Sequence, residues 1–123
     1  MRPHIEESVA ILSGLGDAGT VGRATLVLGF LAYDQKDYSV ARGHFDVALR
    51  RCREAGDRFG AAHALHNRGQ VALGEEDFTR AHADMAEGLR LFHELGYHGD
   101  VALSLEGLAR LAGAQRQWNA RRP

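Results

Sequence analysis

The sequence contains little of what marks several specialised protein classes. Cys52 is the only cysteine among 123 residues, which excludes an intrachain disulfide and a metal site built from several thiolates. No stretch approaches the roughly 18 consecutive apolar residues that a membrane-spanning helix needs. The formal net charge is −1, so the composition favours direct binding neither to nucleic acid nor to an anionic membrane surface.

The first residues, MRPHIEESVAILSGLG, also lack the pattern of a secretory signal. Such a signal has a basic segment followed by a long apolar one, and here Glu6 and Glu7 interrupt the stretch. Together with the single cysteine, this predicts a cytoplasmic location. Hydrophobic residues make up 45% and charged residues 25%, which is ordinary for a soluble globular domain, and the length suits one domain.

One motif suggests a nucleotide site at first. Gly14, Gly16 and Gly19 form a G-x-G-x-x-G pattern, and Asp34 and Asp37 follow at a plausible distance for a ribose-binding acid. That fingerprint requires a strand before the glycines. The internal repeat described next places the preceding SVAIL in a helix, so we interpret Gly16 as a helix stop and predict no bound cofactor.

An internal repeat of about forty residues organises the chain. The stretch LGFLAYDQKDYSVARGHFDVALRRCREAGDRFGAAHAL, from Leu28, aligns with RGQVALGEEDFTRAHADMAEGLRLFHELGYHGDVALSL, from Arg68. A third, partial copy begins LARLAGAQRQW at Leu108, and it aligns Trp118 with the aromatic residues of the earlier copies. At the other end, four residues align with Phe45, Leu49, Cys52 and Gly56, namely Ile5, Val9, Leu12 and Gly16. The predicted single domain therefore consists of units 1–17, 18–57, 58–97 and 98–123.

Each unit is predicted to contain two antiparallel helices. Apolar and small residues recur at helical spacing, and no segment alternates with the period of a strand, so the predicted fold class is all-α. Asp37 and Asp77 are plausible N-caps of the second helices, and Gly56 and Gly96 are plausible C-terminal stops. Glycine in the middle of a helix costs about 1 kcal/mol relative to alanine. A close helix crossing opposite Ala41 and Ala81 would justify Gly29 and Gly69 at those positions.

This pattern of small and large residues resembles the tetratricopeptide repeat (TPR). The matching residues are Gly29, Ala41, Phe45 and Ala48 in one unit and Gly69, Ala81, Met85 and Gly88 in the next. The phrases LAYDQKDYSVAR, REAGDRFGAAHAL and LARLAGAQRQW are similar to the C-terminal helical arrays of large bacterial ATPase-type transcription regulators. The period is forty rather than thirty-four, alanine replaces the aromatic of the first helix, and the closing proline is missing. The resemblance implies a right-handed superhelical array of helix hairpins, an α-solenoid.

No catalytic constellation is present in the sequence, so we predict that the chain is not an enzyme. His63 and His66 share a helix face, but no further ligands at zinc-binding spacing accompany them, so no metal site is predicted. The carboxylates of the DQKD and GEED turns recur in equivalent places, which indicates capping and solubility rather than acid–base chemistry. Cys52 lies on the apolar stripe of its helix and is interpreted as a core residue.

The resemblance to the TPR implies one candidate binding surface, because the first helices of such units line a concave groove. That face combines aromatic, imidazole and ionic groups, which are typical anchors of protein interfaces. Its predicted residues are Arg23, Leu26, Phe30, Tyr33, Asp34, His63, His66, Gln70, Glu106 and Arg110. They predict a non-catalytic scaffold that binds a protein or peptide segment, and the alternative is a sensor that binds a small molecule or peptide in the same groove.

Neither end of the predicted array carries a polar cap. The chain opens on an unpaired second helix with Ile5, Val9 and Leu12, and Trp118 is predicted to begin a further helix. Two explanations are open, because each repeat buries its face only against its neighbours. The chain is either part of a longer array or a homo-oligomer that associates end to end or exchanges terminal helices.

Overall fold

The computed structural model describes residues 18–123, which form five α-helices joined by short turns. They are α1 (Ala18–Asp34), α2 (Tyr38–Glu54), α3 (Arg58–Gly74), α4 (Phe78–Leu95) and α5 (His98–Arg121). No strand occurs among these residues, which confirms the all-α prediction over this range. The predicted half unit 1–17 lies outside the described residues, as do Gly14 and Gly16, while Gly19 lies in the first turn of α1.

The turns between helices follow from aspartate caps and left-handed backbone. Asp37 and Asp77 immediately precede α2 and α4, and their carboxylates accept hydrogen bonds from the backbone N–H groups of Val40 and Arg80. This confirms the predicted N-caps. Asp57 caps α3 in the same way and was not predicted. The backbone φ is positive at Gly56 (70°) and Gly96 (79°), as predicted for helix stops, and at Lys36 (60°) and Glu76 (61°).

Mid-helix glycines bring neighbouring helices into close contact. A Cβ atom on Gly29 would lie 2.4 Å from the ring of Phe45, and one on Gly69 would lie 2.7 Å from Met85 Cγ. The close crossings predicted at these glycines are therefore present. The partner at Gly29 is the ring of Phe45 rather than Ala41, whereas Gly69 meets both Met85 and the carbonyl of Ala81.

Each helix packs against the next one along the chain, and α3 also contacts both α1 and α5. The core between α1, α2 and α3 centres on Phe45, Leu49 and Leu65, which are at most 3% exposed. Cys52 is fully buried there, and its Sγ fits against Gly22 of α1 and Gly60 of α3. This confirms the interpretation of Cys52 as a small core residue.

The last helix differs from the prediction. Trp118 was expected to begin a new helix, but α5 continues without a break to Arg121, so that expectation is wrong. The physical reason is the missing cap, because Gln117 lies at the position that Asp37 and Asp77 hold in the earlier turns. Glutamine is a poor N-cap, and the helix continues through it. Trp118 packs against Phe78 of α4, with 6.3 Å between ring centroids.

Candidate functional site

The ten predicted groove residues lie on α1, α3 and α5, the three odd-numbered helices. These helices are neighbours in the structure, because α1 contacts α3 and α3 contacts α5. The structure brings together the part of this surface that lies between α1 and α3.

A cavity of about 220 Å³ lies between α1 and α3. Four predicted residues contribute to its wall, together with three that were not predicted. Its lining is Arg23, Leu26, Val27, Phe30, Phe59, Gly60 and His63. Val27 is 45% and Phe30 43% exposed, so the rim presents apolar surface to solvent. We call this the α1–α3 groove.

Arg23 is fixed at one wall of the groove by Asp57, the N-cap of α3. Arg23 Nε and Nη2 donate to Asp57 Oδ2 and Oδ1 at 2.6 and 2.8 Å, and Asp57 Oδ1 also accepts from the Gly60 N–H at 3.0 Å. The hydrogen bond from Arg23 lowers the pKa of Asp57, so this carboxylate stays ionised. The guanidinium also lies 5.5 Å from the ring centroid of Phe59, within the range of a cation–π contact. Arg23 is therefore pre-oriented before any partner arrives.

Phe59 is the main residue of the groove that was not predicted. Its ring contacts His63 (4.6 Å between centroids), Tyr97 (4.5 Å) and Phe92 (5.9 Å). Phe59 lies four residues before His63 on α3, so helical spacing alone places the two side chains on one face. The aromatic cluster joins the first turn of α3 to the end of α4, and two of its members, Phe59 and His63, line the groove.

His63 is half-buried beside this cluster. Its Nε2 lies 3.5 Å from a carboxylate oxygen of Asp100, and its ring contacts Phe92 at 4.9 Å. Burial lowers the pKa of His63, and the negative charge of Asp100 only partly opposes that effect. His63 is therefore neutral at pH 7 and can both donate and accept a hydrogen bond at the groove wall.

His66 lies in the core rather than on an open groove face. It is 2% exposed, and its Cε1 lies where a Cβ atom on Gly107 of α5 would be only 3.0 Å away. His66 Nε2 is 3.0 Å from the amide nitrogen of Gln70, while Nδ1 has no hydrogen-bond partner within the described chain. Burial lowers the pKa of His66, and the positive charge of Arg110 acts in the same direction.

The remaining predicted residues do not line the cavity. Tyr33 is half-buried against Tyr38, and burial raises its pKa although the nearby charge of Arg110 opposes this. Asp34, Glu106 and Arg110 are exposed. They lie on the same helices as the cavity but extend the surface beyond it, toward the C-terminal ends of α1 and α3 and along α5.

A second polar region lies away from the groove, where α2, α3 and α4 meet. Arg68 donates to Asp84 through Nε and Nη2 at 2.8 and 2.9 Å, and to Asp46 through Nη1 at 2.9 Å. These bonds raise the pKa of Arg68, so its guanidinium stays charged. Both carboxylates accept hydrogen bonds from the arginine, so we interpret this network as one that holds α2, α3 and α4 together.

Residues 18–123 offer neither a metal site nor a membrane-spanning helix. These residues contain no group of three or more His, Cys, Asp or Glu side chains arranged to hold a metal ion. Over the same range, no helix combines the length and apolar character needed to cross a bilayer. No protein-family model matches the chain, and no curated protein is significantly similar to it.

Proposed function

We propose that this chain is a non-catalytic protein–protein interaction scaffold built as a TPR-like α-solenoid with a forty-residue unit. Three features support the repeat. Helices α2 to α5 begin at residues 38, 58, 78 and 98, so their starts are twenty residues apart. Asp37 and Asp77 cap equivalent helices, and Gly29 and Gly69 make equivalent close crossings. Sequential packing with contacts between odd-numbered helices is typical of stacked hairpins.

The observation that carries the proposed function is the α1–α3 groove. It combines exposed apolar surface at Val27 and Phe30 with a pre-oriented arginine and a neutral histidine. Interfaces favour this combination of aromatic anchors, arginine and satisfiable polar groups. A peptide or protein segment that inserts one apolar side chain between Phe30 and Phe59 fits this chemistry.

The volume of the cavity favours a peptide over a small-molecule ligand. Sites that enclose drug-sized molecules usually measure about 300–1,000 Å³. At about 220 Å³ the α1–α3 groove is smaller, which suits a single side chain of a longer segment. The sensor alternative is therefore the weaker of the two.

We further propose a cytoplasmic protein related to a bacterial transcription or signalling regulator, acting without direct contact to nucleic acid and associating with itself through the ends of the array. The cytoplasmic assignment follows from the sequence features given above, and the relation to regulators follows from the resemblance of its repeat phrases.

Peptide selection on the full chain tests the proposed function. We expect a displayed random-peptide library to enrich sequences with an apolar or aromatic anchor. Val27→Glu places a carboxylate at the groove rim, and we expect it to weaken binding at least about tenfold in calorimetry. Val40→Glu is the matched control, because Val40 is 40% exposed on α2 and away from the groove.

Two results would contradict the proposal. One is the absence of any enriched peptide. The other is a selected peptide that binds wild type and Val27→Glu equally well. A thermal-shift screen with small molecules covers the sensor alternative, and a stabilising compound whose effect disappears in Val27→Glu would favour it.

A further inference from the structure

One face of α5 carries the same pattern as a buried face of α3 but is uncovered in the described chain. On α3 the stripe consists of Ala62, Leu65, Gly69 and Ala72, all of which are buried. Forty positions later, the stripe on α5 consists of Ala102, Leu105, Ala109 and Ala112. All four of these are exposed, and Leu105 reaches 53%.

The difference arises because α4 covers Ala62 and Gly69 of the stripe on α3, and Leu65 is buried in the core that α3 shares with α1 and α2. Met85 and the Ala81 carbonyl approach Gly69, and Gly88 lies against the backbone of Ala62. The same relation holds one unit earlier, where Phe45 of α2 approaches Gly29 of α1. In contrast, α5 packs on the body of the protein through the other side of the helix, where Ser104, Gly107 and Leu111 are buried. A helix of the α2 and α4 type is what this face would accept.

The sequence contains one further segment that aligns with these helices. Residues 1–14 align with positions 41–54 of α2 and 81–94 of α4, so that Ile5 takes the position of Phe45 and Met85. Val9 takes the position of Leu49, and Leu12 that of Cys52 and Phe92. Phe45 contacts α1 and Met85 contacts α3, the helices that precede their own. By alignment, Ile5 is the residue of this segment that we expect to contact a helix such as α5.

We propose that residues 1–17 of one copy of this chain dock on the exposed stripe of α5 in a second copy, so that the chains associate head to tail. Ile5 of one copy then lies over Ala109 of the other, as Met85 lies over Gly69. The inference deepens the self-association suggested above and rests on the proposed repeat array, but it does not depend on the α1–α3 groove.

This arrangement has a distinctive consequence for assembly. The two surfaces differ, so the interface is heterologous. We call residues 1–17 the head and the exposed stripe of α5 the tail, and each added copy leaves one free head and one free tail. Association therefore continues with concentration, or stops only if a ring closes. A symmetric dimer in which two α5 stripes face each other would instead stop at two copies and would not need residues 1–17.

The test uses two full-length variants, each with one blocked surface. Leu105→Glu blocks the tail and Ile5→Glu blocks the head, and sedimentation velocity is measured for each alone and for their mixture. We expect wild type to form a concentration-dependent series. Each variant should associate at least about 30-fold more weakly with itself, because a charge would be buried in an apolar contact. The mixture should form a 1:1 heterodimer, since each variant retains the surface that the other lacks.

Val40→Glu is the control and should assemble like wild type. Circular dichroism and thermal melting establish that each variant is folded before its assembly is measured. The proposal is overturned if wild type is monomeric at all concentrations, if Ile5→Glu still dimerises with itself, or if the mixed variants remain monomers. A groove that fails to bind peptide leaves these outcomes unchanged, so the two proposals fail separately.

Discussion

In the first helix pair, α1 with α2, Gly29 receives the ring of Phe45, and Leu28 beside it is 5% exposed. In the second pair, α3 with α4, Gly69 receives the side chain of Met85, and Arg68 takes the position of Leu28. Arg68 is held by Asp84 and Asp46, whereas the first pair has His44 at the position of Asp84. The two pairs thus share a close crossing at a glycine, beside which one pair has a buried leucine and the other an ion-pair network.

This difference teaches which interactions the geometry needs. The glycine and the large residue opposite it occur in both pairs, so the close crossing is the common requirement. The neighbouring position holds leucine in one pair and arginine in the other. The ion pair is therefore one solution to local packing, and its value lies in avoiding an unpaired charge.

Removing the arginine of the second pair should produce the largest effect. We expect Arg68→Leu alone to cost about 2 kcal/mol of unfolding free energy, because it leaves Asp84, which is only 15% exposed, without its cation. Arg68→Leu with Asp84→His copies the first pair and should return to within about 1 kcal/mol of wild type. Urea denaturation of the four members of this double-mutant cycle measures the coupling.

Arg53→Leu provides the matched control for that cycle. Arg53 pairs with Glu87 at 3.2 Å between α2 and α4, but the side chains are 57% and 37% exposed. Such exposed pairs contribute at most about 1 kcal/mol, so the substitution should change stability little. Equal costs for Arg68→Leu and Arg53→Leu would show that the network at Arg68 is no more than a surface contact.

Gly29 and Gly69 should respond differently to an added methyl group. We expect both changes in unfolding free energy to be smaller than that of Arg68→Leu. A Cβ atom on Gly29 meets three atoms of the Phe45 ring at 2.4–2.7 Å, and that ring is 1% exposed. At Gly69 the nearest atom is the flexible Met85 Cγ at 2.7 Å, and the backbone lies at 3.2 Å. We expect Gly29→Ala to cost about 1–2 kcal/mol and Gly69→Ala less than about 1 kcal/mol, after the gain in helix propensity of alanine.

Thermal or urea unfolding of the two variants measures this difference. Phe45→Leu in the Gly29→Ala background removes the ring and should recover part of the loss, which separates steric crowding from any effect of alanine itself. A Gly69→Ala variant that is the less stable of the two would show that the backbone contact, rather than the side chain opposite, limits the crossing.

The local parts of this architecture could be predicted from sequence because their causes are local. Asp37 caps the helix that begins one residue later, and Gly56 supplies a left-handed backbone at its end. The close crossings at Gly29 and Gly69 were predictable because a mid-helix glycine has a cost that only packing offsets. The continuation of α5 through Trp118 differs from the prediction because the aligned aromatic residue indicates a new helix, whereas Gln117 does not cap one.

The site was predicted less completely, since its geometry depends on contacts between distant residues. Arg23, Leu26, Phe30 and His63 meet at one cavity as expected of a shared face. The ion pair from Arg23 to Asp57 joins residues 34 positions apart, and no local pattern indicates it. Phe59 could have been found from its spacing to His63. The burial of His66 could not, because it depends on the close approach of Gly88 and Gly107 from two other helices.

The burial of His66 leads to the smallest effect that we expect, which is a dependence of stability on pH. Helix α1 has no titratable group at the equivalent position. Leu26 occupies on α1 the place that His66 occupies on α3. The charged and titratable groups that influence His66 are His63, Arg110 and Asp100, and of these only Asp100 favours the protonated ring. Burial, the largest cause, lowers the pKa of His66 in the folded protein.

The sign of the effect follows from proton binding. The unfolded chain protonates this imidazole at a pKa near 6.5, whereas the folded chain protonates it only at lower pH. Between these values the unfolded state binds more protons, so the unfolding free energy decreases as pH falls below about 6.5. His66→Leu, which copies Leu26, should reduce this slope in urea titrations between pH 7.5 and 5, and His82→Leu, at an exposed position on α4, should not. An unchanged slope in His66→Leu would contradict this prediction. The pH dependence would then originate at His63, because burial also lowers the pKa of that imidazole.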